Sequence, residues 1–369
     1  MYLIISIVTL FLVLIILKNQ KRLESEHVDL DEVSAFLKNN GGNHVSHLTF
    51  INDKRVFWTK NRKALIIYQK VANKLIILGD PIGHPTAVVE AISEFNDFAT
   101  NYKFKPVFYQ VSERFLESYK QAGYGLFKLG EEAKVNLNDF SLEGKKAAKL
   151  RTRKNKFERN GFRFQIVQPP YTQEFIYQIN RISDSWLGDR KEKGFSVGFF
   201  CEQYVSRFPL AILTDPLGKP IAFASLACDA QKENKTMTID LMRYLSESPH
   251  GTMDMLFLSI FNWCKEQGYD WCSMGMAPLS HLGFENPPTT FEKAARLTYH
   301  HGNYFYNFKG LFEYKNKFYP LWEPRYLAYK KTLLPVLFLQ LIYLIHSKRS
   351  STQNFASNIK KLVKVRVNA

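Results

Sequence analysis

The chain opens with an almost uninterrupted apolar segment. Tyr2 to Leu17 contains only Ser6 and Thr9 as polar side chains. Sixteen helical residues measure ~24 Å, just short of the ~30 Å hydrocarbon core of a bilayer. Lys18 and further cations follow the segment, and by the positive-inside rule they keep the rest of the chain in the cytoplasm. We therefore predict a transmembrane signal anchor over residues 1–22 and a cell-membrane protein, single-pass or peripheral, with a cytoplasmic catalytic region.

From residue 29 to residue 330 the pattern changes repeatedly between strand-like and helix-like periods. The predicted strands are Lys74–Leu78, Phe104–Val111, Pro209–Thr214, Pro220–Cys228 and Thr236–Met242. The predicted amphipathic helices are Pro85–Ala99, Phe175–Leu187 and Met253–Gln267. Repeated alternation of this kind predicts an α/β (α+β) fold. Two such regions are expected, over residues 29–165 and 166–330.

Residues 331–369 differ in character from the two regions before them. Leu333 to Ile345 is apolar, is interrupted by Pro335 and is too short to span a bilayer. It fits either an interfacial helix or a helix that caps the core. A basic tail follows, which would attract anionic lipid head groups or remain solvated.

The formal net charge of +16 favours an anionic partner, which the charge alone cannot identify as nucleic acid, membrane or phosphorylated substrate. Half of this charge lies in Lys145–Arg163, where nine cations accompany the single Glu158. A solvated surface helix would explain the run. However, unpaired charge of one sign repels itself, so phosphate contact is the favoured interpretation. The candidate residues are Lys149, Arg151, Arg153, Lys154, Lys156 and Arg159.

Two further features allow both a structural and a functional interpretation. Trp271–Leu327 is dense in aromatic side chains beside lysines and arginines, which suits a binding cleft but more often indicates an aromatic core edged by lysines. Asp240 lies in an apolar strand three residues before Arg243. Because an unpaired buried charge is costly, Asp240 either forms an internal ion pair or faces a cleft, where it would bind the amine of a substrate.

The sequence disfavours several common classes of enzyme and metal site. The four cysteines have no zinc-site spacing, and the chain lacks a P-loop, a complete G-x-G-x-x-G, an HExxH and a GxSxG motif. QAGYG at 121–125 is one residue short of the pyrophosphate-binding loop of CoA-dependent acetyltransferases. We therefore expect neither a cofactor nor a metal ion.

A set of longer motifs resembles one protein family over roughly residues 50–330. The motifs are GDPIG (79–83), KLGEEA (128–133), RTRKNKFERNG (151–161), SWL (185–187), EKGFSVG (192–198), IDLMR (239–243), MGMAPLS (274–280), NFKGL (307–311) and WEPRYLAY (322–329). In this order they resemble the C-terminal catalytic domain of bacterial aminoacyl-phosphatidylglycerol synthases, the multiple peptide resistance factor family.

The resemblance implies two tandem GNAT-like (acetyltransferase) folds. It implies an enzyme, a tRNA-dependent aminoacyltransferase, that transfers an aminoacyl group, most often lysyl, from aminoacyl-tRNA to a glycerol hydroxyl of phosphatidylglycerol. The membrane would become less anionic and resistant to cationic antimicrobial peptides. Relatives carry a flippase domain before this region, so we expect a synthase-only form here, with a separate flippase as a possible partner.

The resemblance also implies roles for individual residues. Asp240 and Arg243 would bind the aminoacyl group, with Lys309, Glu323 and Arg325 near the reaction centre. The weaker candidates for substrate binding are Ser185, Ser196, Gly275, Ser280 and Tyr306. Two alternatives remain open: a tandem-GNAT aminoacyltransferase acting on a peptidoglycan precursor, and a non-catalytic, membrane-tethered protein that binds tRNA or lipid.

Overall fold

An antiparallel strand pair, a helix, a parallel strand, a second helix and a final strand occur in this order twice along the chain. The computed structural model describes residues 28–228, 235–282 and 308–346. The first unit contains strands β1 to β6 at Arg55–Trp58, Ala64–Val71, Lys74–Leu78, Ile82–Gly83, Lys105–Ser112 and Gly125–Asn136. Its helices α1 to α3 span Leu30–Asn40, Pro85–Asn101 and Leu116–Gln121. The predicted anchor at 1–22 and the basic tail after residue 346 lie outside the described residues.

The second unit follows a basic helix, α4, at Ala148–Arg159. Its strands β7 to β12 span Arg163–Val167, Leu210–Thr214, Pro220–Cys228, Thr236–Tyr244, Trp271–Pro278 and Leu321–Tyr329. Its helices α5 to α8 span Gln173–Leu187, Glu202–Val205, Thr252–Glu266 and Phe308–Asn316, and a last helix, α9, spans Leu334–His346. The boundary predicted between residues 165 and 166 falls within β7 and stays a prediction.

The central elements of the two units correspond. In the first unit, β2 and β3 are antiparallel, β3 and β5 are parallel, and α2 connects the parallel pair. In the second unit, β9 and β10 are antiparallel, β10 and β11 are parallel, and α7 connects them. A helix and a final strand close each unit, α3 with β6 and α8 with β12. This repeat is the tandem arrangement that the family resemblance implied.

The units are joined by an exchange of their final strands. The sheet runs in the order β1-β2-β3-β5-β12-β6-β11-β10-β9-β8-β7. Strand β12 therefore lies beside β5 of the first unit, and β6 lies beside β11 of the second. Between them, β6 and β12 pair antiparallel along their length. Side chains from both units consequently meet at the centre of one continuous sheet.

Apolar clusters cover the sheet on each side. Helix α2 buries Val88, Ile92 and Phe95 against the first unit, and α7 buries Leu256, Ile260 and Phe261 against the second. A third cluster joins the units, and the inner face of α9 packs into it through Leu337, Leu341 and Leu344. The repeated α/β alternation thus produces a rigid, centrally joined scaffold.

Candidate active site

Asp240 lies at a bulge of β10, next to which the register with β9 shifts. A bulge turns a side chain out of the regular ladder. The carboxylate accepts hydrogen bonds from the Tyr204 hydroxyl and from the Gly198 backbone N–H. His47 Nε2 lies 3.6 Å from Asp240 Oδ1. These four groups form the Asp240 cluster.

The Asp240 cluster keeps its carboxylate ionised. Burial by itself would raise the pKa of Asp240, but the donors His47, Tyr204 and Gly198 outweigh it and hold the pKa below its ordinary value. The side chain is nevertheless 11% exposed. An ionised carboxylate that is partly open to solvent can receive a cationic group.

Arg243 does not pair with Asp240 in the described structure. Its guanidinium forms a bidentate ion pair with Glu192, at 2.8 and 2.7 Å, and also donates to Ser183. The guanidinium lies over the Trp186 ring at 5.0 Å, and the residue is 2% exposed. Arg243 thereby holds the loop that follows α5 against the second unit. The same loop supplies the Gly198 N–H to Asp240, so its fixed position determines the geometry of the Asp240 cluster.

A second charged cluster lies where β6 meets β12. Arg325 Nε donates to Glu132 Oε2 at 2.9 Å, and the Ser273 hydroxyl donates to Glu132 Oε1. Glu132 and Arg325 are buried. Burial would raise the pKa of Glu132, but Arg325 first, then His44 and the hydrogen bonds, lower it to about 2. We call Glu132, Arg325 and Ser273 the Glu132 cluster.

Glu323 extends the Glu132 cluster toward solvent. Its Oε2 accepts from the Arg325 guanidinium at 3.0 Å, and its Oε1 accepts from Lys134 Nζ at 2.8 Å. The Glu323 side chain is 31% exposed. The predicted pair Glu323 and Arg325 is therefore brought together, with Glu132 as the buried partner of the arginine.

His44 lies between the two clusters. It interacts electrostatically with Arg325, Glu132 and His47 and hydrogen-bonds Gln110. Burial first, and then Arg325, lower the pKa of His44 to about 3, so the imidazole is neutral. Its Nε2 is enclosed without a hydrogen-bond partner among the described residues. Gln110 occupies the bulge of β5 at φ 67°, and unusual backbone conformations of this kind cluster at functional sites.

Lys315 approaches the site from α8. Its Nζ donates to the carbonyl oxygens of Gly275 and Met276 at 2.9 and 3.0 Å. Burial lowers the pKa of Lys315 to about 7, although the Glu132 charge opposes this effect. Gly275 has φ 75° where the β11–β6 register shifts. A buried amine that exchanges its proton near neutral pH can take part in proton transfer.

The remaining predicted site residues are distributed differently. Lys309 is exposed and lies 3.7 Å from Glu313 on its own helix. Ser185 is within 3.3 Å of Ser246, Ser196 hydrogen-bonds Tyr109, and Ser280 is buried and donates to the Ala277 carbonyl. Tyr306 lies outside the described residues. The structure does not bring these four described side chains together, and their predicted roles stay predictions.

The basic helix α4 divides its cations between internal and external contacts. Arg153 pairs with the buried Asp254, which also receives Lys317. Arg151 donates to the Leu142 carbonyl, and Lys154 pairs with Glu158. The other candidates are exposed, namely Lys149, Lys156 and Arg159. An anionic partner would therefore meet these three side chains first.

Sequence reasoning missed several residues of the site. Glu132, His44, His47, Tyr204, Glu192, Ser273 and Lys315 had no assigned role. Glu132 carried no signal like that of Asp240, because its strand also holds Lys128, Glu131 and Lys134. The histidines lie in an irregular segment with no periodicity, so their pattern carries no such signal.

Two structural features are absent from the described residues. No group of three or more His, Cys, Asp and Glu side chains within 28–228, 235–282 and 308–346 could hold a metal ion. In the same ranges, no helix is both long and apolar enough to cross a bilayer.

Comparison with known proteins identifies the family. The model for "Phosphatidylglycerol lysyltransferase, C-terminal" matches residues 34–329. The chain belongs to this family. The resemblance predicted from the motifs is thereby confirmed. A phosphatidylglycerol lysyltransferase of Bacillus subtilis strain 168 is 39% identical over 351 residues, which is 94% of this chain and 41% of that protein.

Solved structures of the family share the fold. The structure of L-PGS from Bacillus licheniformis superposes with a TM-score of 0.79 at 40% identity, covering 89% of this chain and all of that one. The C-terminal domain of a putative lysylphosphatidylglycerol synthetase from Agrobacterium fabrum gives 0.76 at 32% identity, covering 87% and 98%. The predicted α/β fold is confirmed. The chain spans about two fifths of the length of the curated relative from Bacillus subtilis.

Proposed function

We propose that this chain transfers an aminoacyl group, lysyl in the first instance, from aminoacyl-tRNA to a glycerol hydroxyl of phosphatidylglycerol. The observation that carries the proposal is the ionised, partly exposed Asp240 carboxylate at the β10 bulge. A carboxylate of this kind suits the ammonium group of an aminoacyl substrate. Family membership over residues 34–329 supports the same reaction, and a cell-membrane location with the catalytic region in the cytoplasm follows from its substrates.

The proposed reaction exchanges one ester for another. The lipid hydroxyl oxygen bonds to the aminoacyl carbonyl carbon, the bond to the tRNA ribose oxygen breaks, and the hydroxyl proton ends on that oxygen. Such a reaction needs no ATP. Holding both substrates in position can contribute roughly 7–11 kcal/mol toward the barrier. The residues of the site therefore have to orient the two substrates, stabilise the charge that develops during the reaction and transfer one proton.

We assign these tasks to the two clusters and the groups between them. Asp240 binds the amine of the aminoacyl group, and Arg243 holds the loop that shapes this pocket through Glu192. Lys315 can exchange its proton near neutral pH, so it suits transfer of the hydroxyl proton, while the neutral His44 has a free Nε2 that can accept a hydrogen bond. The cationic side chain of Arg325 lies beside Glu132 and would stabilise negative charge that develops on the carbonyl oxygen.

Replacing Asp240 with alanine is expected to abolish transfer while the fold and tRNA binding persist. The reason is that the substrate amine would lose its only assigned counter-charge. Lipids extracted from cells expressing the wild-type chain should contain a new cationic aminoacyl-phosphatidylglycerol by mass spectrometry. The Asp240→Ala cells should lack it, with equal amounts of membrane-localised protein in both.

The same experiment also identifies the amino acid, because lysyl, alanyl and arginyl products differ in mass. Undiminished product in the Asp240→Ala cells would overturn the role of Asp240. If wild-type cells make no new lipid, the acceptor assignment fails. Assays with a peptidoglycan precursor would then test the alternative aminoacyltransferase.

We also propose that α4 contacts the tRNA backbone through Lys149, Lys156 and Arg159. Replacing all three with glutamine should weaken tRNA binding and reduce the slope of log affinity against log salt by about one for each phosphate that the helix no longer neutralises. Filter binding across a salt series measures both quantities. The matched control replaces three exposed lysines elsewhere, Lys38, Lys63 and Lys120, with glutamine. An equal reduction of affinity in the control would mean that bulk charge, not α4, provides the binding.

A further inference from the structure

Helix α9 exposes an apolar face that the described residues leave uncovered. Its inner residues are buried in the cluster between the units, but Leu339 is 68% exposed and Tyr343 is 64% exposed. The exposed face consists of Leu333, Val336, Leu339, Ile342 and Tyr343. These are five of the twelve large apolar residues that the described structure exposes, within eleven positions of the chain. Such a concentration marks an interaction surface, since scattered exposed residues are ordinary.

In the sequence, cations flank this face on both sides, and the same stretch contains no acidic residue. Lys330 and Lys331 precede α9, and Lys105 Nζ donates to the Lys331 carbonyl oxygen at 2.9 Å, which places a third cation there. Lys348 and Arg349 follow the helix in the sequence. No Asp or Glu occurs after Glu323. An apolar helix face bordered by lysines and arginines is the pattern of a helix lying in the interface of an anionic bilayer.

The inner side of α9 is connected to the Asp240 cluster. The Ile345 carbonyl accepts a hydrogen bond from the Gly194 N–H at 2.9 Å. Gly194 belongs to the loop after α5, in which Glu192 pairs with Arg243 and Gly198 donates to Asp240. The Phe195 N–H of this loop is fixed in turn by Asp53 Oδ2 at 3.1 Å. The loop therefore lies between α9 and the proposed site for the aminoacyl group.

We infer that the outer face of α9 docks onto a bilayer containing anionic lipid and so sets the loop and the Asp240 cluster against the membrane surface. The inference of docking depends only on the exposed apolar face of α9 and the cations beside it. The further inference that docking delivers a lipid acceptor rests on the proposed function. A second copy of the chain or another segment would cover the apolar face equally well, but neither would account for cations at both ends of the helix without a single acidic residue.

The test uses the full chain reconstituted in phosphatidylcholine vesicles with and without phosphatidylglycerol, with acyl chains brominated to quench nearby tryptophan. The Leu339→Trp variant reports on α9. Leu217→Trp is the matched control, because Leu217 is an exposed apolar residue in the turn between β8 and β9. The signal is the fluorescence added to that of the five native tryptophans. We expect bromolipid to quench the tryptophan at 339, more strongly with phosphatidylglycerol present, and to leave that at 217 unchanged.

Other outcomes would overturn the docking surface. Absence of quenching at 339 in vesicle-bound protein would place water, a second copy or another segment on α9. Equal quenching at 217 would mean non-specific insertion, and quenching independent of phosphatidylglycerol would remove the anionic requirement. Adding Asp240→Ala should leave the quenching unchanged. If the protein that retains Asp240 is quenched at 339 but makes no lipid product, the proposed function fails and the docking surface stands.

Discussion

Replacing Glu132 with glutamine is expected to lower the free energy of unfolding by about 3–5 kcal/mol, because it leaves the buried Arg325 guanidinium without its main counter-charge. Glu323 remains 3.0 Å from Arg325 but is partly exposed, so it compensates only in part. Transfer activity should fall with stability, since Arg325 loses its fixed position. Thermal unfolding of the detergent-solubilised chain measures the first effect, and initial rates on vesicles measure the second.

Two comparisons separate a charge effect from a general loss of packing. Glu117→Gln breaks an exposed pair with Lys120 and should change the free energy of unfolding by less than about 1 kcal/mol. The double variant Glu132→Gln with Arg325→Met removes both charges and should recover much of the stability without recovering transfer. A stable single variant, or an active double variant, would contradict the assignment of the Glu132 cluster.

The fold was largely predictable because its signals are local. Pro220–Cys228 was predicted and observed with the same bounds, since a turn on one side and an apolar run fix such a strand. The exchange of β6 and β12 was not predicted. Glu132 and Arg325 are separated by 193 positions, so their contact depends on the order of strands in the finished sheet, which periodicity does not encode.

From the residues alone, a candidate site residue could be predicted only where a side chain contradicts its surroundings; Glu323 and Arg325 were predicted from the family resemblance. Asp240 was found because a carboxylate in an apolar strand requires an explanation. Lys315 was not predicted as a site residue, because the aromatic stretch contains several lysines that would fit the edge of a core equally well. The structure buries Phe318 and stacks Phe312 on Trp322 with the rings 4.5 Å apart, as expected for an aromatic core. The sequence does not distinguish Lys315, which the described part of this core encloses, from the lysines near it.

The contacts of Arg243 favour a different role from the one that the resemblance implied. Family resemblance placed it beside Asp240 on the substrate. In the structure it is buried and is engaged by Glu192, so its direct effect is on the loop. Loss of Arg243 would then act through the position of Gly198. A substitution at Gly198 therefore tests the effect of the loop on Asp240 more directly.

Replacing Gly198 with alanine is expected to reduce transfer by about 10²-fold or more with little change in stability. An added Cβ would fall 2.8 Å from Asp240 Cγ and closer still to Oδ2, so the whole carboxylate or the loop must move. Displacements of about 1 Å at a reaction centre cost rates of this order. Steady-state transfer rates on vesicles, together with thermal unfolding, measure the two quantities.

Gly194→Ala is the matched control on the same loop. A Cβ at Gly194 would meet Asp53 Oδ2 at 3.5 Å, an ordinary van der Waals contact, so this variant should keep near wild-type rates. If both variants lost activity equally, loop flexibility and not the position of the carboxylate would explain the loss. If Gly198→Ala kept full activity, Asp240 would tolerate displacement, and its proposed contact with the substrate amine would have to be abandoned. A selective loss at Gly198 would instead tie transfer to the position of one carboxylate, which Arg243, Glu192 and α9 all help to set through a single loop.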